Sequence, residues 1–191
     1  MRPGKELIGK PIYSVVDGLH LGDVKDLYLD AGLERVTGIF LGQEGLFKRR
    51  ALLIPLDKVA VLGVDAVLTS ASDAVTDTNE LVEAQKWVRR EELQGRSVDT
   101  PGGTKVGAIG DVLLDEASSI VGFSLSRVHV TGPIEEKKSI SKAAVVDTGS
   151  LDGAMTVDLA RAELGDLAPR PSTGGPPADA AAETPPSLTE F

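Results

Sequence analysis

Apolar positions in the first half of the chain recur with a period of two, the spacing of a strand rather than a helix. In VKDLYLD, Lys25, Leu27 and Leu29 fall on one face and Val24, Asp26, Tyr28 and Asp30 on the other. In ERVTGIFLG, 34–42, apolar residues stand on both faces, as in a strand covered on two sides. ALLIPL (51–56) and DAVLTSA (65–71) read as further short strands, separated by the turn-rich VDGLHLG, DAGLER, GQEG and LGVD. Strands this short and this regularly spaced predict a small barrel or a twisted antiparallel sheet. Closure would also remove the exposed edges of an open sheet. The one helical pattern is DTNELVEAQKWVRREEL, 77–93, with Asp77 or Thr78 as N-cap and a weak stripe of Leu81, Ala84, Trp87 and Val88. It reads as a connector that packs one face on a barrel and turns its charges to solvent.

The same text is then written again. ELIGKPI from Glu6 aligns with ELQGRSV from Glu92, an offset of 86. LGDVKDLYLD aligns with VGAIGDVLLD, pairing Gly22 with Gly107 at an offset of 85. RVTGIFL aligns with SIVGFSL, pairing Gly38 with Gly122 at 84, and Ile54 pairs with Ile140 at 86. Matches kept in order over this length indicate a duplication. The tail APRPSTGGPPADAAAETPPSLTEF, 168–191, is rich in proline and has alanine for most of its apolar residues. It cannot bury enough surface to offset its ordering entropy and is expected to be disordered. Leu188 and Phe191 at its end could form a short recognition motif on a flexible tether, but a featureless disordered end is the simpler account.

Composition narrows the chemistry. The chain is 41% hydrophobic with only 4% aromatic residues, so its core must be built mainly from Val, Leu, Ile and Ala. The absence of cysteine excludes disulfides, thiolate metal sites and cysteine nucleophiles. A net charge of −9, concentrated in residues 78–191, argues against nucleic acid, where cations supply most of the affinity. The N-terminus has no signal-peptide pattern and no apolar run reaches membrane-spanning length, so a cytoplasmic protein is expected.

Gly22, Asp26 and Asp30, echoed by Gly107, Asp111 and Asp115, are the recurring polar signature. Asp26 and Asp30 share a strand face but lie about 13 Å apart at ~3.3 Å per residue. That is too far to share one metal ion or to work as a glycosidase-type pair. Gly22 permits a tight strand entry, Asp30 starts a turn, and mid-strand Asp26 must be solvated or paired. His20 and His129 are isolated, so no metal, cofactor or catalytic set is expected. DTPGGTKVG, 99–107, lacks the phosphate-loop order and reads as a hairpin turn. For partner contacts the candidates are Leu46, Phe47, Lys48, Arg49 and Arg50, an apolar pair beside cations, and the lone Trp87. Phe47 could instead plug a barrel end, and Trp87 could clip the connector to a barrel.

LIGKPIYSVVDGLHLGDVKDLYLDAGLERVTGIFLG and IPLDKV together resemble the PRC-barrel domain, the small β-barrel of the photosynthetic reaction-centre H subunit and of a ribosome maturation factor. The first copy, 4–75, keeps the whole pattern. The second, 90–162, is degenerate, with SISKAAV where the first has IPLDKV. The resemblance implies an all-β chain: one PRC-type barrel over 1–76, a helical connector over 77–91, a degenerate barrel over 92–167 and a disordered tail over 168–191. It implies no reaction and no cofactor, because members serve mainly as interaction modules. The expected role is a cytoplasmic protein-interaction or assembly module, its protein partner unnamed, with the two barrels free to pack as an internal pseudo-dimer. A membrane-peripheral role like that of the H subunit and a ribosome accessory role are the alternatives. The LFKRR loop is the only feature favouring a membrane surface.

Overall fold

The computed structural model describes residues 1–45, 50–149 and 153–164. The first half contributes β1 (Arg2–Pro3), β2 (Pro11–Ser14), β3 (His20–Asp23), β4 (Asp26–Leu29), β5 (Val36–Glu44), β6 (Arg50–Pro55), β7 (Val59–Leu62), β8 (Val67–Thr69) and β9 (Thr76–Asp77). The second contributes β10 (Val88–Arg89), β11 (Ser97–Asp99), β12 (Lys105–Leu114), β13 (Ile120–Val128), β14 (Ser139–Ser141), β15 (Val145–Asp147) and β16 (Met155–Val157). Helices are short: α1 (Arg90–Leu93), α2 (Pro133–Lys137) and α3 (Leu159–Leu164). The chain is therefore mainly β, as its period-two pattern predicts.

The strand order repeats. In the second half it is β14-β13-β12-β11-β16-β15. The first half has the same order in two pieces, β6-β5-β4 and β3-β2-β8-β7, because the counterpart of β12 is broken into β3 and β4. The break is a corner. Gly9 N–H donates to Val24 O at 2.7 Å and Lys25 N–H donates to Phe40 O at 2.8 Å, so pairing passes from the β2 side to the β5 side between adjacent residues. The second half bonds Gly95 N–H to Ile109 O at 2.8 Å but crosses the corner with a register shift instead of a break. The parallel pairs β2–β8 and β11–β16 are likewise equivalent. Neither ladder closes by hydrogen bonding among the described residues. From β14 the chain passes to β15 through the three-residue 3-10 turn Lys142–Ala144, and from β6 to β7 through Leu56–Lys58.

The expected helix over 77–93 is not formed. Asp77 Oδ1 accepts the N–H of Asn79 and of Glu80, making a turn. A 3-10 turn follows at Val82–Lys86, then β10, then the single turn of α1. The weak apolar stripe loses to two tertiary demands. Val88 and Arg89 pair with Leu29 and Tyr28 of β4, and Trp87 packs beside Tyr28 at 5.8 Å between ring centres. One apolar cluster runs through both halves, from Leu7 to Ala162. A second, smaller one gathers Tyr28, Phe40, Leu53 and Ala84 under Trp87. The two faces of β4 divide between them: Leu27 and Leu29 enter the first, Tyr28 the second. The tail at 168–191 lies outside the described residues.

Candidate functional site

Each half sends a short N-terminal segment into the other. β1 pairs with β12 of the second half, and β10 pairs with β4 of the first. These two strands are equivalent in the repeat, as are the one-turn helices that follow them, the 3-10 turn Gly4–Leu7 and α1. The exchange brings the two mid-strand aspartates to the same place. Arg90, on α1, donates from Nε to Asp26 Oδ1 at 3.0 Å and from Nη1 to Asp111 Oδ1 at 2.8 Å. Asp26 Oδ2 accepts the backbone N–H of Glu91 at 3.0 Å, and Asp111 Oδ2 accepts that of Lys5 at 2.8 Å. All three side chains are buried. A guanidinium is suited to this position because its fixed fork of donors can serve two carboxylates at once.

Glu91 and Lys5 are equivalent positions, so the backbone half of the arrangement is twofold symmetric. The side-chain half is not. The position equivalent to Arg90 is Gly4, where an added Cβ would lie 2.8 Å from Val112 Cγ2 and 3.1 Å from Arg90 Cδ. Only one arginine fits on the pseudo-axis, and Gly4 leaves it room. Further along the axis, Val36 N–H donates to Ser118 O at 3.0 Å and Ile120 N–H to Glu34 O at 2.8 Å, again a reciprocal pair. Burial lifts the Asp26 carboxyl above its ordinary value, opposed by the Leu27 N–H and by Arg90. Beside it, Arg89 lies 4.4 Å above the Phe40 ring centre and ion-pairs with Glu91.

The other signature residues are turn-makers. Asp30 Oδ1 accepts the N–H groups of Glu34 and Arg35 at 2.7 and 2.8 Å, and Asp115 Oδ1 accepts that of Ser119 at 2.8 Å. Gly22 takes φ +130°, a left-handed value. Gly107, its echo, is required for a different reason: a Cβ there would stand 2.2 Å from Arg127 O.

Of the partner-contact candidates, Leu46, Phe47, Lys48 and Arg49 lie outside the described residues. Arg50 is exposed, with Nη1 3.8 Å from Asp77 Oδ2. Trp87 is half-buried against Tyr28 and against Gly38, so it holds the connector onto the first half. His20 sits 3.3 Å from Asp23 at the surface, and His129 is exposed. Among the described residues no group of three His, Cys, Asp or Glu side chains could hold a metal ion. Two open grooves flank the pseudo-axis. One, about 820 Å³, is lined by Asp30, Val36, Thr37, Pro55, Leu56 and Asp57 and roofed by the 73–87 segment. The other, about 510 Å³, is lined by the equivalents Asp115, Ile120, Val121, Ser141, Lys142 and Ala143.

Arg90 is not among the residues that sequence reasoning singles out. It lies 64 residues from Asp26 and 21 from Asp111, inside a stretch that reads as helical. One signal does point to it: the offset of 86 sets Val88–Arg89 on Arg2–Pro3 and Arg90 on Gly4.

No helix among the described residues is long and apolar enough to cross a membrane. No curated protein matches the chain. Residues 1–75, the half that holds β1 to β8 and the first of the paired aspartates, match the family model of the PRC-barrel domain.

Proposed function

We propose that this chain is a non-catalytic assembly module of the cytoplasm, built as two PRC-type barrel units packed into an internal pseudo-dimer that binds protein partners. The observation that carries this reading is the Arg90 cluster. The buried charged side chains among the described residues are Asp26, Asp77, Arg90 and Asp111. Three of these four join the halves to each other. Both oxygens of Asp26 and of Asp111 already accept hydrogen bonds. A general acid or base must reach a substrate proton, and these carboxylates are buried with every oxygen already engaged. Their chemistry is that of a clasp.

The reading makes a specific demand. A pseudo-dimer already complete within one chain leaves no vacant partner-half to recruit, so the isolated protein should sediment as a monomer. Affinity purification of the full chain from native cells at low salt should then recover a protein partner in stoichiometric amount. Ribosomal proteins or a membrane complex would name the process. A chain that recovers no protein, or that sediments as a homodimer, would sink the proposal.

A further inference from the structure

The hairpin between β2 and β3 exposes apolar side chains where the fold does not ask for them. Val15, Val16 and Leu19 are 55%, 70% and 53% exposed, and Tyr13 at its base is 37% exposed. Valine and leucine are not turn-forming residues, so turn chemistry does not account for them. The second half is an internal control. Its equivalent turn, between β11 and β12, has Pro101, Gly102 and Thr104 in place of Val15, Val16 and Leu19. The same fold therefore makes this turn without valine or leucine.

The first-half hairpin is also held firmly. Ser14 N–H donates to Leu19 O at 2.9 Å, Val15 N–H to Thr69 O at 3.0 Å and Val16 N–H to Ser14 Oγ at 3.2 Å. Asp17 accepts Leu19 N–H at 3.1 Å and the Ser72 hydroxyl at 2.6 Å. The backbone that carries the apolar side chains is thus fixed in position, which lowers the ordering cost that binding must meet. Next to them, among the described residues, β3 pairs only with β2, whereas Gly107 and Ala108 at the equivalent place in β12 pair with β13 as well. An unpaired strand edge beside an ordered apolar patch is the arrangement that accepts an added strand.

Charge selects the occupant. Asp17 and Asp23 flank the patch, Asp23 with His20 3.3 Å away, and hydrogen bonds from Ser72 and Leu19 hold the Asp17 carboxyl below its ordinary value. Two such tips face to face would set Asp17 against Asp17, and an anionic bilayer would be repelled by the same groups. A segment whose apolar side chains are flanked by lysine or arginine is complementary on both counts. We infer that the β2–β3 hairpin tip, with the free edge of β3, is the docking surface for an extended apolar and basic segment of a partner protein. This rests on the module reading above and adds where the partner binds and what it carries.

The test uses the full chain and two synthetic peptides, one alternating valine with lysine and one alternating valine with glutamate. The lysine peptide should bind, measured by fluorescence anisotropy, and should slow hydrogen exchange at His20–Asp23. The variant Val16→Ser with Leu19→Thr should bind at least ten-fold more weakly and melt at the wild-type temperature. Equal binding of the glutamate peptide, or unchanged binding by the variant, would overturn the assignment. So would self-association, or sedimentation with anionic vesicles, that disappears in the variant. Native partners retained by the variant would overturn this surface and leave the module reading standing. A wild-type chain that recovers no protein would overturn both.

Discussion

Asp26 and Asp111 occupy equivalent points in β4 and β12, and each accepts a backbone N–H from the opposite half. There the likeness ends. The residue one position before the donor is Arg90 at one end and Gly4 at the other, and the single guanidinium serves both carboxylates. Near-symmetry in the backbone does not require symmetry in the charges. Two buried acids need one shared base, and a second base would have no room.

The two halves lose most when Arg90 is removed. Arg90→Ala leaves two buried carboxylates without their cation and should cost about 3–5 kcal/mol of stability in urea unfolding. Asp26→Asn keeps the shape but turns an NH2 donor toward Arg90 Nε or the Glu91 N–H, where Asp26 accepts with both oxygens, and should cost about 1–3 kcal/mol. The same variant gives a pH test. The native pKa of Asp26 is raised above its unfolded value by burial, so the native state keeps that proton to higher pH. The stability associated with it is fully present below the unfolded pKa and is lost as pH rises to the raised native value. Wild type should therefore lose stability relative to Asp26→Asn as pH climbs through that window. A difference that stays flat with pH would contradict the assignment.

Gly4→Ala probes the vacant side of the axis. Its methyl would press on Val112 and on the Arg90 stem, at about 1–3 kcal/mol for overpacking, and calorimetry would read the shift. The mildest change is Lys142→Ala. Lys142 reaches from the second half to Glu34 Oε1 at 3.1 Å and Gly32 O at 3.0 Å. Glu34 is well exposed, so the loss should stay below about 1 kcal/mol and shrink further in high salt.

Much of the fold is legible in the sequence. Alternation in VKDLYLD places Leu27 and Leu29 in the core, and the echo of Asp30 at Asp115 marks equivalent turns. Local patterns report local structure. What they miss is the exchange of β1 and β10 between halves, because strand partners 59 to 112 residues apart leave no periodicity within a window. The stretch 77–93 is misread for the same reason. Its weak helical stripe is a local preference overridden by β4, Tyr28 and the two aspartates. The role of Arg90 is hidden further because the repeat offers glycine, not a second arginine, at its echo. Asp26 can be recognised as needing a partner, but nothing near it in sequence says which.

The lone arginine also restricts how such an assembly could be made from separate pieces. A homodimer must install every residue twice. Two copies of the first half would put two glycines on the axis and bury both acids without a base. Two copies of the second would drive two guanidinium stems into the space that Gly4 now leaves open. Covalent linkage of the halves lifts that restriction, since the two sides of the axis can then be encoded independently. The fused chain can hold a composition at its centre that neither half could reach by pairing with itself.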